Sequence, residues 1–459
     1  MSGHTASREA PHRMNPLSSP LLTDLYQLTM LQAYFAAGMR GTAVFELFVR
    51  KLPQNRNFLM AAGLEQALRF VEELRFSDEE LAWIDGCGLF RAGFATELAK
   101  LRFTGDIHAL REGEVVFPNE PLVRVTAPLP EAQLLETRLL NIVHYQTLIA
   151  SKAARTVLAA RGKGLVDFGL RRAHGAEAGL FAARASYLAG FTGTATTLAG
   201  PAFGIPVFGT MAHSFVQAHE DEQSAFERFA SVFPRNAVLL IDTYDTVAGA
   251  RKVAALATTL ATRGIAIRGV RLDSGDLGML SRQVRRVLDD AGLRDAIIFA
   301  SGNLDEYRVA ELVAGGAPID SFGVGTSLAT SSDAPYLDCV YKLQEYDGRA
   351  RRKRSAGKAT WPGRKQVFRH YAADGTFARD VVTLETDAQH GEPLLHAVME
   401  GGCRVGAPVA LDAARGYAER GLDRLPSSLR ALTEVSTPYP VDIAPALRAL
   451  AAEVDRATC

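Results

Sequence analysis

The residues able to do chemistry gather at the ends of short apolar runs. The clearest case is Ile267-Arg-Gly-Val-Arg-Leu-Asp-Ser-Gly-Asp276. An apolar run ends in Arg271, Asp273 follows two residues on, and Ser274, Gly275 and Asp276 form a polar turn into a helical pattern. This order predicts a buried strand opening into a loop at its C-terminal end, where α/β proteins hold ligands. Asp167-Phe-Gly-Leu-Arg-Arg172 has the same form, with Phe168 able to stack on a flat ring and Arg171 able to bind an anion. Gly209-Thr-Met-Ala-His-Ser214 runs a glycine loop, with Thr210, into a helix start at Ser214. Such a start is an anion site, and His213 there is a base, a phosphate-accepting nucleophile or a structural histidine.

A phosphate cradle is the chemistry expected of Ser301-Gly-Asn303 and Phe322-Gly-Val-Gly-Thr326. Gly302, Gly323 and Gly325 let backbone N–H groups approach, and Thr326 adds a hydroxyl. Ile241-Asp-Thr-Tyr-Asp-Thr246 and the Asp273–Asp276 turn add carboxylates suited to ribose hydroxyls or Mg²⁺. Their spacing matches no self-contained metal loop, so no metal ligand is assigned and a metal would be shared with substrate. Each segment alone has an ordinary alternative: a helix cap, a tight turn or a core aromatic. Together they suggest a sugar phosphate and a flat anionic ring.

The elements that must position these groups fall into an alternating pattern after about residue 164. Apolar strands are expected at Leu165–Phe168, Ala185–Leu188 (partly helical in pattern), Ala189–Thr192 with Val207–Gly209, Val238–Ile241, Ala266–Leu272, Ala296–Ala300 and Ser321–Gly323. Helices are expected at Ser214–Phe229, Thr246–Arg263, Gly278–Ala291 and Asp305–Ala314. Six or seven β-loop-α units favour a closed parallel barrel, with an open doubly wound sheet as the alternative. No GxGxxG joins a strand to a helix, which argues against a dinucleotide-binding half.

Before this region the pattern is α+β. Leu21–Phe35 reads as a helix capped by Thr23 or Asp24, Thr42–Val49 as a strand, and Glu131–Ala160 as a long helix with one break. The expected division is a polar leader at 1–16, an α+β domain at 17–160, an α/β barrel at 161–345, and a region 346–459 packing back on the N-terminal part. That last region opens with Gly348–Lys365, which carries eight basic residues, then predicts a hairpin over Val367–Leu384 turning at Asp374-Gly375. Helices are expected at Pro426–Leu432 and Ile443–Ala457.

Composition narrows the class. Lys+Arg and Asp+Glu are equal at 51 each, so no net field favours nucleic acid or an anionic membrane. The four cysteines are far apart with no CxxC pair, which fits a reducing cytoplasm. No apolar run approaches the ~20 residues of a membrane span. A cytoplasmic globular protein is expected.

The motifs also resemble a known family. Thr23-Asp-Leu-Tyr-Gln-Leu-Thr-Met30, the Asp167, Gly209 and Arg271 segments, Phe322–Thr326 and Gly357-Lys-Ala-Thr-Trp-Pro-Gly-Arg-Lys365 resemble nicotinate phosphoribosyltransferases, in order along the chain. The resemblance implies an irregular (β/α) barrel with a second α+β domain formed from both chain ends, in a homodimer with shared active sites. It implies that nicotinate and 5-phosphoribosyl 1-diphosphate give nicotinate mononucleotide and diphosphate, with Mg²⁺ and with ATP hydrolysis coupled through a phosphohistidine at His213. Residue by residue, Phe168 would stack on the pyridine ring, with Tyr26 of a second subunit on its other face. Arg271 would pair with the nicotinate carboxylate, and Thr210 would add a contact. Arg171, Ser214, Gly302, Gly323, Gly325 and Thr326 would hold the phosphoribosyl diphosphate, and Asp273 would orient the ribose or the ring. The basic loop would close over phosphates. A nicotinamide-using relative is the nearest rival; it carries an Asp where this chain has Ala195 in Gly193-Thr194-Ala195, and a neutral alanine favours the acid. A non-catalytic sensor is the rival of a different class.

Overall fold

The computed structural model describes residues 17–457; the expected leader at 1–16 and Cys459 lie outside them. The alternating region forms a six-stranded parallel sheet. In spatial order its strands are Gly193–Thr194, Gly164–Asp167, Ser321–Val324, Ile297–Ser301, Gly269–Leu272 and Val238–Leu240. Every neighbouring pair is parallel. All C-terminal strand ends therefore open on one side, which is what brings the motif loops together.

The barrel does not close. Among the described residues no pairing joins the two edge strands, and on its outer side Thr194 makes only an isolated bridge, to Val207. The expected strands at Ala185–Leu188 and Ala189–Thr192 are instead the end of helix Ala176–Ala189 and the turn after it. The run is alanine-rich, which favours helix, and Gly190 at φ +125° stops it.

The connecting helices are Thr246–Thr262, Leu277–Asp290 and Glu306–Ala314. Asp245, Asp276 and Asp305 cap them by accepting backbone N–H groups at 2.7, 3.1 and 2.8 Å. The expected helix Ser214–Phe229 is two, His213–Gln217 and Glu222–Val232, because Asp221 caps a second start.

A second, seven-stranded antiparallel sheet draws on both chain ends. Thr42–Val49 and Pro121–Pro128 lie at its centre, with Cys339–Tyr346 on one side and Asp106–Ala109 then His396–Glu400 on the other. The helix Glu136–Ala160, set off from Leu129–Leu134 by the expected break, serves both cores: Leu139 and Ile142 pack with this sheet, Ile149 and Ala153 with the parallel one. The hairpin Lys365–Tyr371/Phe377–Leu384 forms as predicted. Pro426–Leu432 yields only a short 3-10 turn at Ser427–Arg430, whereas helix Leu411–Arg424 was not anticipated. No helix among the described residues is long and apolar enough to cross a membrane.

Candidate active site

Three adjacent strand ends and the turn after Asp167 enclose a cavity of about 460 Å³. Its walls include Phe168 and Arg171 from one loop, Arg271 and Asp273 from another, and Gly302, Gly323, Gly325 and Thr326 from the last two. Eight of the twelve residues singled out in the sequence thus line one space, which is the reason to treat it as the active site.

The glycines do more than expose N–H groups. A Cβ on Gly302, whose φ is +94°, would sit 1.9 Å from the Asp273 carbonyl oxygen. On Gly323 it would come within 2.8 Å of the Phe168 ring, and on Gly325 within 2.9 Å of the Phe168 carbonyl. These positions let neighbouring loops close up, so that the Phe168 ring packs over Gly323. The Phe168 N–H donates to Val324 O at 2.9 Å, and its ring stacks on Phe299 with centroids 5.5 Å apart.

Arg271 organises the polar side. Its Nε donates to Ser301 Oγ at 2.9 Å, Nη2 to Asp273 Oδ1 at 2.8 Å, and Nη1 to Met211 O at a long 3.4 Å. A guanidinium has five N–H donors, so two stay free for a ligand. Its carbon stands 5.3 Å from the centroid of the Phe168 ring. An aromatic face and an unsaturated cation at this separation suit a flat ring bearing a carboxylate.

Asp273 connects this arginine to His213. Burial works to raise its carboxyl pKa, but the Ser301 hydroxyl, Arg271 and His213 outweigh burial and hold it below the ordinary value. His213 Nε2 lies 3.8 Å from Asp273 Oδ2, and Nδ1 shares a hydrogen bond with Thr243 Oγ1 at 3.1 Å. The ring is partly exposed at the start of its short helix, so a phosphate can reach it.

The four carboxylates of the sequence motifs separate by role. Asp245 and Asp276 are helix caps. Asp242 is buried behind Asp273: its Oδ2 accepts from the Asp273 N–H at 2.8 Å and the Ser274 hydroxyl at 2.7 Å, and its Oδ1 has no partner. Among the described residues no three His, Cys, Asp or Glu side chains converge as a metal cage. An orphaned carboxylate oxygen beside Asp273 fits a Mg²⁺ whose remaining ligands come from phosphate oxygens.

The other four singled-out residues do not line this cavity. His213 reaches it through Asp273. Thr210 lies one residue before Met211, whose carbonyl contacts Arg271, and Ser214, next to His213, is exposed. Tyr26 is 47% exposed, on helix Leu25–Ala36. Asp24 does not cap that helix with its side chain; it accepts the Thr137 hydroxyl instead. The basic loop also lies elsewhere in this chain, with Arg352 paired to Asp455 at 3.3 Å and Arg364 to Glu345 at 2.9 Å.

Two contributors were missed as individuals. Ser301 sat inside a quoted motif, yet its bond to both Arg271 and Asp273 has no sequence signal. Asp167 was read only as the residue flanking Phe168. It is fully buried, and it accepts the Thr194 hydroxyl at 2.7 Å and the Gly169 N–H at 2.8 Å. Burial without a cation pushes its carboxyl up to about 6, against those two bonds.

The chain is similar to known proteins over most of its length. The model of the nicotinate phosphoribosyltransferase N-terminal domain matches residues 21–144, and that of the nicotinate phosphoribosyltransferase family matches residues 164–351. A Mycobacterium tuberculosis protein named nicotinate phosphoribosyltransferase pncB2 is 52% identical, over 92% of this chain and 91% of its own length. The Bacillus subtilis nicotinate phosphoribosyltransferase is 45% identical, over 77% of this chain and 73% of its own. The crystal structure of human nicotinic acid phosphoribosyltransferase superposes with a TM-score of 0.85 at 31% identity, covering 94% of this chain and 100% of that one. With the site built on the same motifs that these comparisons cover, the chain belongs to the nicotinate phosphoribosyltransferase family.

Proposed function

We propose that this protein joins nicotinate to 5-phosphoribosyl 1-diphosphate, forming nicotinate mononucleotide and diphosphate in NAD biosynthesis and salvage. The observation that carries this reading is Arg271, held 5.3 Å from the Phe168 ring with two N–H donors free. A pyridine ring on Phe168 places its carboxylate toward that cation. In the reaction the bond from C1′ to the diphosphate oxygen breaks and the bond from C1′ to the ring nitrogen forms, with oxocarbenium character between. The protein's part is positioning and charge stabilisation. Asp273 orients the ribose or the ring, while Arg171, Thr326 and the backbone at Gly302, Gly323 and Gly325 hold phosphate oxygens. Asp242 and Asp273 would hold Mg²⁺ together with the diphosphate, supplying charge neutralisation to the leaving group.

ATP enters as a co-substrate. Its terminal phosphoryl group passes to a ring nitrogen of His213, releasing ADP, and water later returns the histidine and frees phosphate. The contact between His213 and Asp273 couples that cycle to the substrate site. The reading includes a homodimer: an exposed Tyr26 and a basic loop remote from its own cavity are what a chain needs to complete a neighbour's site. Thr210 adds a contact to nicotinate, and Ser214, next to His213, takes part in holding the phosphoribosyl diphosphate.

The test is nicotinate mononucleotide formation by the wild type and His213→Ala, with and without ATP, alongside nicotinamide. Product from nicotinate, with ATP stimulation lost in the variant, is the expected result. Preference for nicotinamide would overturn the reading of Ala195 and Arg271, and no turnover with either base would leave a sensor.

A further inference from the structure

A second cavity, of about 310 Å³, shares no lining residue with the catalytic one. It lies between helix Leu64–Glu72 and helix Leu411–Arg424, with the segment 398–409 as its third wall. Its body is apolar, from Leu64, Leu68, Val398, Pro408 and Ala413.

The charged groups around it are of two kinds. Some are already neutralised. Glu112 is gripped by Arg184 at 2.6 and 2.7 Å, and Glu65 binds Arg404 at 2.6 Å, which also takes Glu72 at 2.8 Å. Arg111 and Arg420 are different. Both are exposed, and both lie against the Tyr417 ring, at 5.6 and 5.9 Å from its centroid. Neither makes an ion pair among the described residues. Tyr417 offers them no charge, because its hydroxyl donates to Glu114, a carboxylate that already receives Arg369. Two guanidiniums drawn to one ring beside an apolar hollow, neither in an ion pair among the described residues, keep N–H donors for an anion.

We infer that this cavity is a binding site for an amphipathic organic anion, a single carboxylate on a compact apolar body. The body fills the hollow against Leu68, Val398 and Ala413, and the carboxylate stays at the rim beside Arg111 and Arg420. The volume lies in the range of small-molecule pockets, and the combination of mostly apolar walls with a few polar anchors is their usual chemistry. The inference does not depend on the reaction proposed above.

Calorimetric titration of the full chain with phenylbutyrate tests it, in saturating nicotinate so that the catalytic cavity is already filled. One binding event is expected. The neutral phenylbutyramide and the double variant Arg111→Ala/Arg420→Ala should each bind about tenfold more weakly, the scale of one charge-assisted hydrogen bond. Ala413→Phe, which fills the hollow, should abolish binding, and turnover by the double variant should stay at the wild-type rate. The site is overturned if phenylbutyrate does not bind, if the amide binds as tightly as the acid, or if the double variant keeps its affinity. Binding of phenylbutyrate seen only when nicotinate is left out would also overturn it, since the ligand would then occupy the catalytic cavity.

Discussion

Asp167 and Asp273 stand at C-terminal strand ends of one parallel sheet, three strands apart, and their surroundings treat the same carboxyl in opposite ways. Asp167 is sealed from water and meets only neutral donors, so burial prevails and its pKa rises to about 6. Asp273 also feels burial, yet a hydroxyl, a guanidinium and an imidazole outweigh it and lower its pKa. Both stand at strand ends, but Asp273 is less deeply buried, and a hydroxyl bond together with two cationic neighbours tips its balance the other way. The first carboxyl ties Gly169 and Thr194 together beneath Phe168, and the second carries working charge into the cavity.

Arg271→Ala should have the largest effect. It removes the cation proposed to pair with the nicotinate carboxylate and leaves Asp273 without its closest cation. A loss of about 1000-fold in kcat/KM for nicotinate is expected, or ~4 kcal/mol. Steady-state kinetics beside Asp167→Asn check the contrast, because the asparagine keeps the buried tie and should cost at most about tenfold. Equal losses in the two variants would mean that both ends act on substrate.

Gly302→Ala attacks the Asp273 end through the backbone. The new methyl would meet the Asp273 carbonyl at a backbone angle that disfavours any side chain. Strain and overpacking together predict about 4 kcal/mol of lost stability in a denaturant titration. Gly375→Ala, also at positive φ but facing open space, should cost about 1 kcal/mol. If the two melt alike, close packing of these loops is not what fixes Asp273.

These contrasts also show what the sequence made legible. Strand-end motifs reveal themselves because apolar runs must stop where the chain leaves the core, and polar or glycine residues then follow. Phe168, Arg271, Asp273 and the glycine loops could be found that way. Capping and ligation use the same residue types, so Asp245 and Asp276 could not be told from Asp242 until their N–H partners were seen. Ser301 bonds across two strands, a contact set by register rather than by local order. Barrel closure was equally hidden. It depends on the pairing of edge strands, and here the Gly193–Thr194 strand is two residues long. The C-terminal half of helix Ala176–Ala189 is ambiguous in sequence because short alanine-rich apolar stretches fit either period.

The opposite pKa directions predict opposite pH dependence. Asp167 has a raised folded pKa, so its contribution is fully present below the unfolded value near 4, falls as pH rises through about 6, and is constant beyond. The difference between folded and unfolded values corresponds to about 3 kcal/mol. Asp167→Asn should therefore gain stability relative to wild type between about pH 4 and 7. Asp273 has a lowered folded pKa, so its contribution is present above the unfolded value and is lost as pH falls. Asp273→Asn should lose stability relative to wild type as pH rises from the acid side. Urea midpoints across that range measure both slopes, and slopes of the same sign would refute the assignment.

The smallest effect is expected at Phe168, which joins the two ends. Its backbone follows Asp167, and its ring faces Arg271. In Phe168→Leu the aliphatic side chain still covers Gly323 and Phe299, and a half-buried swap of this kind costs less than about 1.5 kcal/mol of stability. What disappears is the flat face for a second ring and the attraction of that face for the guanidinium. Aromatic and cation–π contacts of this kind are worth about 1 kcal/mol beyond area, so the KM for nicotinate should rise about five- to tenfold. The KM for the sugar diphosphate should stay unchanged, because the proposed holders of its phosphates, Thr326 and backbone N–H groups, are left in place by leucine. A matching rise in both constants would mean that Phe168 shapes the whole cavity. A rise for nicotinate alone would mean that the ring acts only as the platform between the buried carboxyl and the working one.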